Sequence, residues 1–211
     1  RGLGDVYKRQ ADTVWANNSG GSTVAYLNIT VVDEVPTSIL YTPENLTLTN
    51  NTAAPLFMPT INGAGDVVSW ALNTSFLPSG VSFGNSNGTL YGTPTELWST
   101  TAYMVWANNS GGSVLAYFNL TVVDEVPSLS YSPNSLNLVN NTLSSDLPLV
   151  PTLTGSGEIT SWALNASLPN GIMFGANNGT IYGTPTQLWT QASYTVWANN
   201  SGGSTVAYLN I

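Results

Sequence analysis

Trp15, Trp106 and Trp197 stand 91 residues apart, and the string Trp-Ala-Asn-Asn-Ser-Gly-Gly-Ser runs on from each of them. A fixed long period is the strongest constraint a chain can place on its own fold. Pro36 and Pro127, Pro94 and Pro185, and Trp98 and Trp189 keep the same spacing, and residues 13–29 are identical to residues 195–211. Trp70 and Trp162 are 92 apart and Pro43 and Pro133 are 90 apart, slips of the kind loops absorb. A unit of about 90 residues exceeds a solenoid repeat and suits a domain with its own core.

The sequence Val-Val-Asp-Glu-Val-Pro, at 31–36 and again at 122–127, marks the joints. Residues 11–34 then read as the C-terminal hairpin of a preceding repeat, 35–125 as a complete repeat, and 126–211 as a repeat cut at its last strand. The first ten residues stand apart. They hold all three basic side chains, Arg1, Lys8 and Arg9, and no Lys or Arg follows in the rest of the 211. The run from Asp5 to Gln10 reads as translated sequencing-adapter sequence, so residues 1–10 are set aside from fold reasoning.

Composition excludes several chemistries. With no Cys and no His, the chain has no Cys or His zinc site, no disulfide, and no Ser-His-Asp or Cys-His nucleophile. A net charge of −8 argues against nucleic acid as a partner, because neutralising phosphates takes clustered Lys and Arg. No 18-residue apolar run is present, so no membrane-inserting helix is expected. Charged residues are only 7%, which leaves Asn, Thr, Ser and Gly to make the surface.

Period-two patterning dominates each unit. Val114, Ala116, Phe118, Leu120 and Val122 form one apolar face, with Tyr103, Val105 and Ala107 in the same phase on the preceding strand. Asn109-Ser110-Gly111-Gly112 joins the two strands as a turn. A second hairpin is expected over 81–92, with Asn87-Gly88 as a two-residue turn in which both residues take positive φ, and Asn178-Gly179 repeats it. Trp70 and Leu72, with Trp162 and Leu164, read as inward positions of an earlier strand. No stretch carries helical periodicity. Short strands with turn signals every 8–12 residues predict an all-β chain of tandem β-sandwich domains, about seven strands each.

The order Leu77-Pro78-x-Gly80, then Asn87-Gly88-Thr89-x-x-Gly92-Thr93-Pro94-Thr95, then Tyr103-x-Val105-x-Ala107-Asn108-Asn109-Ser110-Gly111-Gly112 resembles the He_PIG family of immunoglobulin-like domains, close to the dystroglycan-type cadherin-like domains. The resemblance covers 77–123 and 168–211, with a last piece at 13–31. It implies an immunoglobulin-like fold and a spacer or adhesion role in long, repetitive bacterial and archaeal surface proteins. The implied setting is extracellular, with an unidentified protein or glycan at a cell surface as the partner.

Four side-chain sets are candidates for function. Asp33, Glu34, Asp124 and Glu125 lie at the joints, where cadherin-like rods hold calcium; the bland alternative is a solvated acidic linker. Calcium-stiffened adhesion is therefore one alternative function, and no other cofactor is expected. Trp98, Trp106, Trp189 and Trp197 are candidates for stacking on sugar rings, which makes a carbohydrate-binding module the other alternative. Trp106 and Trp197 fall on the outward phase of their strand, while Trp98 and Trp189 are expected in the loop after Gly-Thr-Pro-Thr. Twelve Asn-x-Ser/Thr sequons follow residue 10, and Asn28, Asn45, Asn73, Asn119 and Asn165 are the glycosylation candidates. Paired carboxylates for glycoside cleavage are not evident, since Glu96 is matched by Gln187, and no enzymatic activity is expected. The short linker has no flexible Gly/Ser tract, which predicts restricted bending between domains.

Overall fold

The computed structural model describes residues 10–63 and 65–211, so nearly all of the adapter-like segment, residues 1–9, lies outside the described residues. Every regular element among them is a strand. The chain opens with an antiparallel hairpin, β1 (Gln10–Asn18) and β2 (Gly21–Ile29), in which Trp15 faces Val24. Among the described residues, no second sheet covers this hairpin. Val14, Leu27 and Ile29, the counterparts of core residues in the later copies, are exposed.

Eight strands build the unit that follows. They are β3 (Ser38–Leu40), β4 (Asn45–Thr49), β5 (Thr60–Asn62), β6 (Ser69–Leu72), β7 (Val81–Phe83), β8 (Leu90–Gly92), β9 (Trp98–Asn109) and β10 (Gly112–Val123). One sheet has the order β4-β10-β9-β6. Its long hairpin, β9 and β10, pairs Tyr103 with Phe118 and Ala107 with Val114, the register expected from the alternating pattern. β4 joins β10 in parallel, with Asn45 opposite Asn119 and Thr49 opposite Val123. The pairs β3–β5 and β7–β8 lie against it, and Phe57 bridges to Leu90.

The inward residues meet in one core. Tyr103, Val105, Ala107 and Leu120 are wholly buried, with Leu46, Leu48, Trp70, Phe118 and Val122 around them and Ile39, Val81 and Leu90 from the facing pairs. Tyr41, Phe57 and Phe118 contact one another in tilted and edge-on pairs and Tyr103 stacks on Phe118, all at 5.0–5.6 Å between ring centroids, spacings at which aromatic pairs attract.

The last unit repeats the plan with seven strands: β11 (Ser128–Ser130), β12 (Thr152–Thr154), β13 (Ser161–Leu164), β14 (Ile172–Phe174), β15 (Ile181–Gly183), β16 (Ser193–Asn200) and β17 (Gly203–Asn210). Its core of Leu129, Tyr131, Leu136, Ile172, Ile181, Tyr194, Val196 and Leu209 shares no residue with the first. The counterpart of β4 is reduced to one parallel bridge, Ser135 to Asn210. The molecule is thus a tandem of immunoglobulin-like β-sandwiches of seven to eight strands.

Two local expectations are corrected. The 81–92 connection is not a two-residue turn. Gly84 accepts from both Asn87 N–H (3.2 Å) and Gly88 N–H (2.8 Å), and Gly88 alone takes positive φ, at 68°. The Asn87 side chain explains this: its Oδ1 accepts from Thr89 N–H at 3.1 Å, which closes the turn without a left-handed Asn. Gly88 is needed for a second reason, because a Cβ there would run into the Trp70 ring. Trp98, expected in a loop, is the first residue of β9 and pairs with Val122 across a bulge. Trp189 lies outside any strand, because β16 begins only at Ser193, opposite Asn210.

Candidate functional site at the domain junctions

The joint sequence does not hang free. Each acidic pair is gripped by the β-hairpin turn of the unit that follows it. At the first joint, the Asp33 N–H donates to Ser110 Oγ at 2.8 Å, and that hydroxyl donates back to the Asp33 carboxylate at 3.1 Å. Asn109 works in two directions. Its Oδ1 accepts from the N–H groups of Gly111 (2.9 Å) and Gly112 (3.1 Å), which fixes the turn. Its Nδ2 then donates to the Glu34 carbonyl at 2.7 Å. Gly111 has no room for a Cβ, which would run into the Asp33 carbonyl, and the Val35 side chain lies on Gly112.

The second joint repeats this atom for atom. Asp124 N–H donates to Ser201 Oγ at 2.8 Å, Ser201 Oγ donates to the Asp124 carboxylate at 2.8 Å, and Asn200 Nδ2 donates to the Glu125 carbonyl at 2.7 Å. Asn200 Oδ1 fixes its turn through Gly202 and Gly203. Here the Glu125 carboxylate also accepts from Ser156 N–H at 3.2 Å. Asp124 is only 7% exposed. We call each arrangement a clasp. Hydrogen bonds of this kind contribute on the order of 1 kcal/mol each, somewhat more where a carboxylate accepts.

The clasp accounts for the positions of the four acidic candidates. Asp33 and Glu34 sit in one clasp and Asp124 and Glu125 in the other. The two pairs stand at opposite ends of β10 and are not brought together. The Asp33 and Asp124 carboxylates accept from serine hydroxyls, whereas Glu34 is held by its backbone carbonyl and Glu125 by its backbone carbonyl and, through Ser156, its carboxylate. Among the described residues, no three His, Cys, Asp or Glu side chains gather as metal ligands would. The residues that sequence reasoning missed are Asn109 and Ser110, whose pattern signals only a turn, and their counterparts Asn200 and Ser201. The available signal was that all eight residues from Trp to Ser recur in every copy, more than a turn requires.

The tryptophans divide. Trp106 and Trp197 lie half-buried on the outer face of their sheets, between Leu115 and Ala71 in one unit and Val206 and Ala163 in the other. Exposed Tyr117 and Tyr208 stand two residues on from Leu115 and Val206, and Trp15, Val24 and Tyr26 repeat the set in the first hairpin. β6, β9 and β10 carry no charged residue. Trp98 packs partly into the core, whereas Trp189 is 48% exposed.

The sequon candidates also have defined places. Asn28 is exposed on β2. Asn119 Nδ2 donates to Asn45 Oδ1 at 2.7 Å between the parallel strands. Asn73 and Asn165 use Oδ1 to accept from Met104 and Thr195 N–H at 3.1 and 2.9 Å, extending the ladder past the ends of β6 and β13. Glu96 accepts from Ser79 N–H at 2.7 Å, and this bond holds its carboxyl below the ordinary value.

Comparison with known proteins gives the following. Over 204 residues the chain is 28% identical to the "Serine-rich adhesin for platelets" of Staphylococcus aureus strain MRSA252, across 95% of this chain and 14% of that protein. In strain USA300 the identity is again 28% and the share of the relative 8%. The chain thus spans only a small part of the curated relatives it matches. Among solved structures, the I67–I69 fragment of the titin I-band overlays with a TM-score of 0.46 at 17% identity, covering 94% of this chain and 71% of that one. Cadherin domains 3–6 of protocadherin gamma B2 overlay at 0.33 and 12% identity, covering 90% and 55%. The family model described as "Putative Ig domain" (He_PIG) matches residues 35–123 and 126–211, most of the molecule, and the chain belongs to that family.

Proposed function

We propose that the chain is a non-enzymatic spacer and adhesion module of an extracellular or cell-surface protein, a run of immunoglobulin-like domains held in line at clasped joints. The observation that carries this reading is the clasp repeated at both joints. The last residue of β10, Val123, is still in its own sheet, with its carbonyl accepting from Asn50 N–H at 2.7 Å, and the very next residue, Asp124, is already fixed by the following unit. At this second joint no residue is left over as a hinge. The similarity to staphylococcal adhesins supports the setting. The chain has no Cys, so paired spin labels can be placed at will, one in 35–123 and one in 126–211. A single narrow distance is expected, broadening in an Asn200→Ala/Ser201→Ala variant. A broad distribution in the unaltered chain would overturn the reading.

A second reading has its own observation, the uncharged outer strip in which Trp106 and Trp197 lie beside exposed Tyr117 and Tyr208. Aromatic faces without charge suit neutral sugar rings. On a glycan array, binding that disappears in Trp106→Ala/Trp197→Ala supports a carbohydrate-binding role, and a blank array removes it.

A further inference from the structure

The clasp places a fixed point at one end of β10, and the chain leaves the unit at the other. We propose that the protein carries tension along its length and that β10, with a clasp at each end, is the path the tension takes. Force arriving through Asp33 and Glu34 is handed by Ser110 and Asn109 to the turn at the head of β10. It runs along the strand, Gly112 to Val123, and leaves through Asp124 into the next clasp. Twelve residues of strand at about 3.4 Å each span roughly 40 Å. The rest of the sandwich lies beside this path and not in it.

Behind the clasp stands a second resistance. If Asp33 and Glu34 are pulled free, the load passes through β3, three antiparallel pairs with β5, to β4. β4 is parallel to β10, with five pairs from Asn45–Asn119 to Thr49–Val123. The ladder is continued at both ends by Asn119 N–H to Glu44 carbonyl (2.7 Å) and Asn50 N–H to Val123 carbonyl (2.7 Å). Tension draws β4 toward its N-terminal end and β10 toward its C-terminal end. Parallel neighbours pulled in this way slide in shear, so the rungs must fail together. The same rungs pulled from one end fail one at a time. Direction of pull, and not the number of bonds, sets the resistance.

The inference rests on the spacer reading, and the test separates the two, because a rigid joint with little resistance to force sinks this proposal alone. Single molecules of the whole chain are held through introduced cysteines in two geometries. Thr37→Cys with Ser128→Cys loads the ladder in shear. Thr52→Cys with Ser128→Cys opens the same ladder from its C-terminal end. Forced unfolding follows the unfolding rate, so the repeat at 35–123 should resist at least about twofold more force in the first geometry than in the second. Equal forces, or a weaker shear geometry, overturn the proposal. The clasp has its own readout. Held at its two ends, the chain should give a short extension step before the first unfolding event, and Asn109→Ala/Ser110→Ala should abolish it. An unchanged record in that variant removes the clasp from the load path.

Discussion

Two hydroxyls show how single residues are tied into this fold. Tyr41 donates to the Gly88 carbonyl and Tyr131 to the Gly179 carbonyl, both at 2.6 Å, beneath glycines that lie against Trp70 and Trp162. Burial pushes the Tyr131 phenol from 10.0 up to about 12, and it moves Tyr41 upward as well. A raised pKa means that the unfolded chain ionises first. The associated stability is whole below pH 10.0 and is lost as the pH climbs toward about 12. Denaturant midpoints should therefore fall across that interval. Tyr131→Phe should lower stability near neutrality by about 1 kcal/mol, through the lost hydrogen bond, yet flatten the alkaline decline of the second repeat. A decline of the same steepness in the variant would show that another group is responsible.

At the level of strands and turns, the joint segment should behave as part of the domain it enters. A chain beginning at residue 30 keeps Asp33 and Glu34 in their clasp, and one beginning at residue 35 does not. With a few hydrogen bonds at stake, the first repeat of the longer chain should melt about 5 °C or more above that of the shorter one, as scanning calorimetry would register. Coincident melts would mean that the clasp adds nothing to stability. The strands themselves were largely legible. Tyr103, Val105 and Ala107 could be assigned inward because a pleated strand has no other way to bury a period-two pattern, and all three are wholly buried. The 84–89 turn was not. Asn-Gly is compatible with a two-residue loop, and what decides against it is the bond from Thr89 N–H to the Asn87 side chain, which periodicity does not encode.

For the molecule as a whole, the repeat period announced units with separate cores, and the two cores indeed share no residue. What the period could not convey is how the units are joined. Ser110 and Asp33 are 77 positions apart, as are Ser201 and Asp124. A contact that distant leaves no local pattern. An acidic pair beside Val-Pro reads equally well as a cation site, a solvated spacer or a hydrogen-bonded strap, because two of the three clasp bonds use backbone atoms that any residue would supply. Trp106 and Trp197 were legible in phase, but the loop expected for both Trp98 and Trp189 was not met alike: the two share a motif and yet sit differently, one paired with Val122 and the other outside any strand.

The clasp also bears on how such a protein changes length. Both halves of every joint, strap and buckle, are written inside one period, and residues 13–29 match 195–211 without a single difference. Misaligned recombination between two such stretches would delete or duplicate whole units in register. Each product would still present an Asp-Glu strap to an Asn-Ser-Gly buckle at every seam. No new interface would have to arise, so a change in the number of units would alter reach while the joinery stays the same.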